Sequence, residues 1–193
     1  VQASAKDITY LLNELLDLGR VEAGFDTRMD SVAMGDVLKY TLESLASQAV
    51  AKSISLSSEV DEQLPVVWGN PIRMRQVVDN LLSNAVKYTP EGGSVVARLR
   101  SEGEQVVFAV SDTGLGIPAA DQPHIFEKFY RASNAPKGSQ GTGLGLAIVK
   151  SIVESYEGRI WVESVPEKAT TFYVVLPANR VIYREPATVL RPH

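Results

Sequence analysis

Two glycine-rich segments, at residues 112–118 and 141–146, constrain the fold of this chain most strongly. The first, Asp-Thr-Gly-Leu-Gly-Ile-Pro, follows an apolar stretch typical of a strand, and the second, Gly-Thr-Gly-Leu-Gly-Leu, leads into a helical pattern. Glycine permits positive φ and close approach to the backbone, and the N–H groups at a helix start attract anions. The sequence therefore predicts two ligand-contacting loops, joined by an irregular region with a short helical piece near residues 124–130.

Neither segment identifies its ligand by itself. Gly114, Gly116 and Ala119 match a dinucleotide-binding fingerprint, but Pro118 and Pro123 would interrupt the helix that such a site requires. The second segment lacks the Gly-Lys-Ser/Thr ending of a P-loop, and an ordinary tight turn before a helix explains it equally well. The aspartate that opens the first segment can accept a hydrogen bond from a base amine.

A helix with one polar face is predicted between these loops and the N-terminal third of the chain. It begins at Pro71, with Asn70 as its N-cap, and ends near Tyr88. Helical periodicity places apolar residues on one stripe and polar residues on the other, namely Gln76, Asn80, Asn84 and Lys87. An ordinary solvated face explains this spacing. Amide oxygens can also ligate a magnesium ion that neutralises phosphates, and lysine supplies a charge for a phosphate.

The other predicted elements are helices and short strands. Helices are predicted over residues 1–20, 35–52 and 144–156, and strands over 54–60, 95–100, 106–111, 159–163 and 171–176. The first helix has apolar residues on one face, at Ile8, Leu11, Leu12, Leu15 and Leu16. This stripe fits half of a dimerising helical hairpin and also fits packing on the helix's own domain.

Charge and composition exclude several classes of function. The 193 residues carry 19 Lys+Arg and 23 Asp+Glu, a net charge of −4, so no basic field favours nucleic acid or an anionic membrane. The chain has no cysteine, which excludes disulfides and Cys-based zinc sites. We expect neither a membrane helix nor direct membrane contact, since no apolar run approaches about 20 residues.

Four motifs together resemble the catalytic domain of sensor histidine kinases. Residues 80–89, Asn-Leu-Leu-Ser-Asn-Ala-Val-Lys-Tyr-Thr, are similar to the N box of that family. Residues 112–118 resemble its first glycine box, Phe-Glu-Lys-Phe-Tyr-Arg at 126–131 its F box, and residues 141–150 its second glycine box. The order and spacing of the motifs also agree, and the resemblance extends to about Pro177.

The resemblance implies a fold and a division of the chain. The fold is an α+β two-layer sandwich, in which a mixed β-sheet is covered on one face by helices and preceded by an N-terminal helix (the Bergerat-type ATP-binding fold). Residues 1–24 are similar to the end of the second helix of a dimerisation hairpin. Residues 25–178 would form the ATP-binding domain, and residues 179–193, which show no periodicity, a C-terminal tail.

The resemblance also implies roles for individual residues toward ATP and Mg²⁺. Asn84 would be the chief magnesium ligand with Asn80 nearby, Lys87 would reach the phosphates, and Asp112 would bind the adenine amine beside Tyr88. The remaining implied nucleotide contacts are Gly114, Gly116, Ile117, Phe129, Gly141, Thr142, Gly143, Leu144, Gly145 and Leu146. Residues 131–140 are implied to form a mobile lid.

Two departures from the family pattern stand out. Glu167 and Ala169 occupy places where the family often has a third glycine pair, so that turn is expected to differ. The phosphoacceptor histidine lies on the first hairpin helix in the family, and we expect it on a helix that precedes this sequence. His124 is interpreted as a surface or packing residue and His193 belongs to the tail, so no catalytic residue is assigned in this sequence.

The implied function is transfer of the γ-phosphate of Mg-ATP to a histidine. Its implied partners are a phosphoacceptor helix, a response regulator receiver domain and a second kinase subunit in a homodimer. The implied location of this domain is the cytoplasm. The alternative from another class is a non-catalytic nucleotide-binding regulatory module of the same fold, against which the intact boxes argue. A chaperone or topoisomerase ATPase is disfavoured by the F box and the N-terminal helix.

Overall fold

A five-stranded sheet carries the elements that form the site. The computed structural model describes residues 2–24, 28–136 and 141–178, with side chains described from residue 11 onward, and the predicted tail at 179–193 lies outside them. The helices are α1 (Gln2–Glu22), α2 (Met34–Ala51), α3 (Pro71–Tyr88) and α4 (Gly145–Ser155). The strands are β1 (Asp30–Val32), β2 (Ser55–Val60), β3 (Val67–Gly69), β4 (Ser94–Glu102), β5 (Gln105–Asp112), β6 (Arg159–Val165) and β7 (Ala169–Pro177).

The sheet is mixed, with strand order β2-β4-β5-β7-β6. The pair β2–β4 is parallel and the other three pairs are antiparallel. Alternate residues of the central strands point to one face, where Leu99, Phe108 and Val174 lie in register and are fully buried. Helices α2, α3 and α4 contact the strands, so that one face of the sheet holds the core. The predicted α+β fold class is confirmed.

Helix α3 forms as the sequence predicts. The Asn70 side chain accepts a hydrogen bond from the Ile72 N–H at 2.9 Å, and Pro71 occupies the first turn, where its missing N–H costs nothing. Its apolar stripe is fully buried, with no exposed surface at Val77, Val78, Leu81 or Leu82. The opposite face of the helix is therefore the one that remains available for a ligand.

Within its described side chains, helix α1 packs on the sheet domain through one side. Leu18 and Val21 are buried, and the helix contacts α4. Leu12 and Leu16 are 54% and 63% exposed on the other side. Both interpretations of the apolar stripe therefore stand. Packing on its own domain is observed, and dimerisation through the exposed leucines stays a prediction.

Two local expectations differ from the structure. The helical piece predicted near residues 124–130 is wrong, because this stretch consists of turns closed by i+3 hydrogen bonds, such as His124 N–H to Asp121 C=O at 2.9 Å. Phe129 has a positive φ of 66°, which a helix does not allow. Strands β1 and β3 were not predicted, because three residues are too few for a period-2 pattern. Within the described residues, no helix is both long and apolar enough to cross a bilayer.

The cap of α3 gives a stability prediction. Asn70→Ala should lower the free energy of unfolding by about 1 kcal/mol, because the Ile72 N–H loses its acceptor. Asn70→Asp puts a carboxylate oxygen in the place of the amide oxygen and should stay within about 0.5 kcal/mol of the parent. Urea unfolding followed by circular dichroism measures both. Equal losses in the two variants would contradict the cap assignment.

Candidate functional site

A cavity of about 1040 Å³ opens between α3, the two glycine-rich loops and α1. Its lining contains twelve of the fifteen predicted nucleotide-binding residues, namely Asn80, Asn84, Lys87, Tyr88, Asp112, Gly116, Ile117, Gly141, Thr142, Gly143, Gly145 and Leu146. Residues that are far apart in the sequence are thus brought to one place. The cavity is large enough for a drug-sized or nucleotide-sized ligand.

Three predicted residues, all in the described part of the chain, do not line the cavity. Leu144 is fully buried, because its side chain belongs to the core beneath α4. Phe129 is 55% exposed, and its N–H donates to the Gly143 carbonyl at 3.0 Å, so it supports the second glycine loop from behind. Gly114 lies behind Asp112, where its N–H donates to the Asp112 carboxylate at 2.9 Å.

Asp112 is a buried acceptor at one end of the cavity. It is the last residue of β5, lies between Val95 of β4 and Thr170 of β7, and is 6% exposed. Burial raises the pKa of its carboxyl to about 6, and the hydrogen bond from Gly114 opposes that shift. At neutral pH the group is mostly ionised. It can therefore accept a strong, charge-assisted hydrogen bond from an amine in the cavity.

The first loop needs glycine at two positions. A Cβ on Gly114 would lie 2.8 Å from the Tyr88 carbonyl oxygen at the end of α3. Gly116 has φ of +63°, and its Cβ would lie 2.3 Å from the Val165 carbonyl oxygen. Both contacts are with backbone, which cannot move aside as a side chain can. The glycines therefore let this loop pack directly on α3 and on β6.

The polar face of α3 from Asn80 to Lys87 forms one wall of the cavity, whereas the Gln76 amide donates to the Asp17 carboxylate of α1 instead. The Asn80 amide donates to the Gln76 carbonyl at 2.9 Å, which aims its amide oxygen away from the helix and toward Gly145. Lys87 lies against the second loop, since a Cβ on Gly141 would be 2.9 Å from its ammonium nitrogen. The same ammonium lies 4.8 Å from the centre of the Tyr88 ring. The helix thus presents amide oxygens and one cation to a single space.

The second glycine loop ends at the N-terminus of α4. Leu144 is the N-cap residue of α4, and its side chain makes no capping hydrogen bond. Its backbone N–H donates to the Thr142 hydroxyl at 3.1 Å. The first N–H groups of an α-helix have no partner inside the helix, and Gly145 and Leu146, at the start of α4, line the cavity. Gly143 has φ of +75° and is packed against the Phe129 backbone. This end of the cavity is suited to an anion.

A carboxylate that the sequence reasoning missed fastens the segment between the loops. Asp121 is 7% exposed and accepts hydrogen bonds from the Tyr130 hydroxyl at 2.8 Å and from the Ser133 N–H at 2.7 Å. These bonds, those from Ser133 foremost, lower the pKa of the Asp121 carboxyl. Asn134 donates to the Gly116 carbonyl at 2.9 Å. The start of the predicted lid is therefore tied to the first loop, while residues 137–140 lie outside the described residues.

Glu14 of α1 also lies in the cavity, and no local pattern in the sequence indicates this. The Thr142 hydroxyl, 128 residues away in sequence, donates to its carboxylate. Helix α1 is held in this position by an ion pair between Asp17 and Arg73 at 2.6 Å and by another between Glu22 and Lys128 at 2.7 Å. A carboxylate therefore lies at the end of the cavity where α4 begins.

Comparison with known proteins agrees with the motifs. The family model described as "Histidine kinase-, DNA gyrase B-, and HSP90-like ATPase" matches residues 69–180. The circadian input-output histidine kinase CikA of Synechococcus elongatus is 36% identical over 186 residues, which cover 94% of this chain and 25% of the relative. The adaptive-response sensory kinase SasA of Nostoc sp. is 35% identical over 181 residues, covering 91% of this chain and 44% of the relative. The chain thus spans less than half the length of these relatives.

Two solved structures are also similar to this chain. Full-length ShkA in complex with AMPPNP has a TM-score of 0.81, with 28% identity, over 92% of this chain and 37% of that chain. The mycobacterial sensor histidine kinase MprB has a TM-score of 0.67, with 30% identity, over 79% of this chain and 99% of that chain.

The position of Glu14 gives a prediction about anion affinity. Glu14→Gln keeps a hydrogen-bond acceptor for Thr142 and removes the charge, so the affinity for a non-hydrolysable ATP analogue should rise about fivefold, equivalent to about 1 kcal/mol. Glu22→Gln removes the same charge from the same helix, at the contact with Lys128, and should leave the affinity within about twofold. Isothermal titration calorimetry measures both. Equal effects in the two variants would show that Glu14 does not act on the phosphates.

Proposed function

We propose that this chain is the ATP-binding catalytic domain of a two-component sensor histidine kinase. The chain belongs to the family of histidine kinase-, DNA gyrase B- and HSP90-like ATPases. One observation carries this proposal. The cavity joins a buried carboxylate at one end to a glycine-rich helix start at the other, with the amides and the lysine of α3 between them. The carboxylate is complementary to a base and the helix start to a triphosphate. The α3 side chains between them are complementary to a metal ion bound with the phosphates.

The base end of the cavity fits adenine. Asp112 accepts a hydrogen bond from the exocyclic amine, and Tyr88, Gly116 and Ile117 border the ring. Guanine has a carbonyl oxygen in place of that amine, so its lone pair would face the carboxylate. Since the carboxylate is buried, the mismatched contact would also leave it without water. The site therefore selects ATP over GTP.

The phosphate end combines neutral donors with positive charge. Backbone N–H groups of residues 141–145 and Lys87 bind the phosphate oxygens, and Asn84, with Asn80 nearby, supplies amide oxygens to Mg²⁺. Among the described residues no group of three or more His, Asp or Glu could hold a metal by itself. This donor set fits an ion that is bound together with phosphates, because the phosphates supply the negative ligands. A Mg²⁺ ion held by these amides would offset negative charge on the triphosphate.

Phosphoryl transfer at this site depends on position more than on covalent help from the protein. The α3 face and the second loop hold the triphosphate so that the γ-phosphorus faces an incoming imidazole. The bond from the γ-phosphorus to the β–γ bridging oxygen breaks as the nitrogen–phosphorus bond forms, and ADP remains. The histidine belongs to a phosphoacceptor helix of the same or a partner subunit, and the phosphoryl group then passes to a receiver domain of a response regulator.

The assembly that we propose is a homodimer with its ATP-binding domains in the cytoplasm, where ATP is available. The support for dimerisation is the exposed side of α1, where Leu12, Leu15 and Leu16 are 54%, 40% and 63% exposed. An apolar stripe of this kind is suited to another helix. Neither a nucleic acid nor a membrane surface is required as a partner of this domain.

Magnesium dependence tests the function. We expect ATP to bind in the micromolar range with Mg²⁺ present, and Asn84→Ala to remove most of the effect of Mg²⁺ because the metal loses an amide ligand. The variant should fold normally, since Asn84 lies on the cavity face and not in the core. Calorimetry with and without Mg²⁺ measures this, and the control is Gln63→Ala, which removes a side-chain amide from an exposed position outside the cavity lining. No binding by the parent protein under either condition would refute the proposed function.

The pKa of Asp112 gives a pH-dependent test of base selection. Because burial raises that pKa to about 6, the carboxylate is protonated as the pH falls through 6. A neutral carboxyl loses its charge-assisted bond to adenine and can donate to the guanine oxygen. We expect ATP to be preferred over GTP about ten- to a hundred-fold at pH 8 and only a few-fold at pH 5.

The ratio of the two affinities is the informative quantity, because both nucleotides carry the same titrating triphosphate. Asp112→Asn keeps the size of the side chain and adds a donor, so its ATP to GTP ratio should be small at both pH values. Competition binding at pH 5 and pH 8 measures this. A parent protein that binds GTP as well as ATP at pH 8 would show that Asp112 does not contact the base.

A further inference from the structure

The C-terminal turn of α3 carries residues from both ends of the proposed site. Lys87 faces the second glycine loop, and the Tyr88 carbonyl lies against Gly114 of the first. The last four carbonyl groups of an α-helix have no partner within it, and in α3 these belong to residues 85–88. Where their hydrogen bonds go decides how firmly this turn is held.

All four carbonyls have partners. The Ala85 carbonyl accepts from the Thr89 N–H at 3.0 Å and from the Thr89 hydroxyl at 2.7 Å. The Tyr88 carbonyl accepts from the Leu115 N–H at 3.4 Å. The two remaining carbonyls, of residues 86 and 87, accept from a single side chain, the ammonium of Lys52, at 2.7 and 3.0 Å.

Lys52 has no further proton to give. Its ammonium also donates to the Thr89 carbonyl at 2.6 Å, which makes three bonds for three N–H groups. Lys52 lines the cavity, so its position alone would suggest a phosphate ligand. The hydrogen bonds indicate a different role, because a phosphate could bind the ammonium only by breaking one of them.

The charge of Lys52 matters as well as its bonds. A helix C-terminus carries a partial negative charge of about half an elementary charge. Here that end stands beside the space for a triphosphate, since Lys87 of the last turn contacts the Gly141 region. An ammonium bound directly to the terminal carbonyls offsets this charge and reduces its repulsion of the phosphates.

We propose that Lys52 is a positioning residue for the nucleotide, which fixes and neutralises the C-terminal turn of α3 without touching ATP. The proposal rests on the proposed function of the cavity. Lys52 immediately follows α2, 34 to 37 residues before its three acceptors, so it also couples the end of α2 to the wall of the site. The effect on binding should therefore concern the phosphates more than the base.

Lys52→Met tests this, because it keeps the length of the side chain and removes the charge and donors. We expect the affinity for ATP to fall about tenfold and the affinity for adenosine, which has no phosphates, to fall less than about threefold. Lys52→Arg retains the charge and several donors and should bind ATP within about threefold of the parent protein. Lys39→Met removes the same charge from an exposed position on α2 and should change neither affinity.

Several outcomes would overturn the proposal. Equal losses for ATP and adenosine would mean that Lys52 serves the fold alone, and an ATP affinity of Lys52→Arg as low as that of Lys52→Met would exclude the charge as the cause. An unchanged Lys52→Met would exclude any role. If Lys52→Met does not fold, Lys52→Gln replaces it, because glutamine removes the charge and keeps N–H donors for the helix carbonyls. The same difference between ATP and adenosine is then expected. The parent protein's own ATP affinity, measured in the same series, tests the proposed function separately.

Discussion

The packing of helix α3 on the sheet is the interaction on which the rest of the structure depends. Val77, Val78, Leu81 and Leu82 have no exposed surface, so the rotation of the helix about its axis is fixed by its apolar stripe. Once that stripe faces the core, the amides and the lysine must face the cavity. The hydrophobic effect thus orients the polar groups, although it acts on the opposite side of the helix.

The two loops depend on α3 in turn. The first loop packs on the carbonyl end of the helix through Gly114, and the second contacts its middle and end through Gly145 and Gly141. Side chains at these positions would push the loops away from the helix. Glycine is needed here because it allows close contact, and not only because it allows positive φ. Two polar side chains also hold these parts in place through hydrogen bonds. Asp121 holds the segment between the loops, and Lys52 holds the last turn of α3.

The sequence predicted what local patterns determine. Asn70 and Pro71 mark the start of α3, and the apolar and polar stripes define its two faces, because both depend on neighbours within one element. It did not predict the roles of Glu14, Lys52 and Asp121, whose partners come from distant parts of the fold. The helical piece near residues 124–130 was wrong because Phe129 adopts positive φ to support Gly143, a tertiary demand that no local pattern reveals.

The central claim is that one cavity binds the base at Asp112 and the triphosphate at the start of α4. The most direct measurement is a crystal structure of this chain with Mg²⁺ and a non-hydrolysable ATP analogue. The account predicts the adenine amine within about 3.2 Å of the Asp112 carboxylate and phosphate oxygens at similar distances from N–H groups of residues 141–145. A nucleotide bound with its base away from Asp112, or with its phosphates on a different surface, would contradict it.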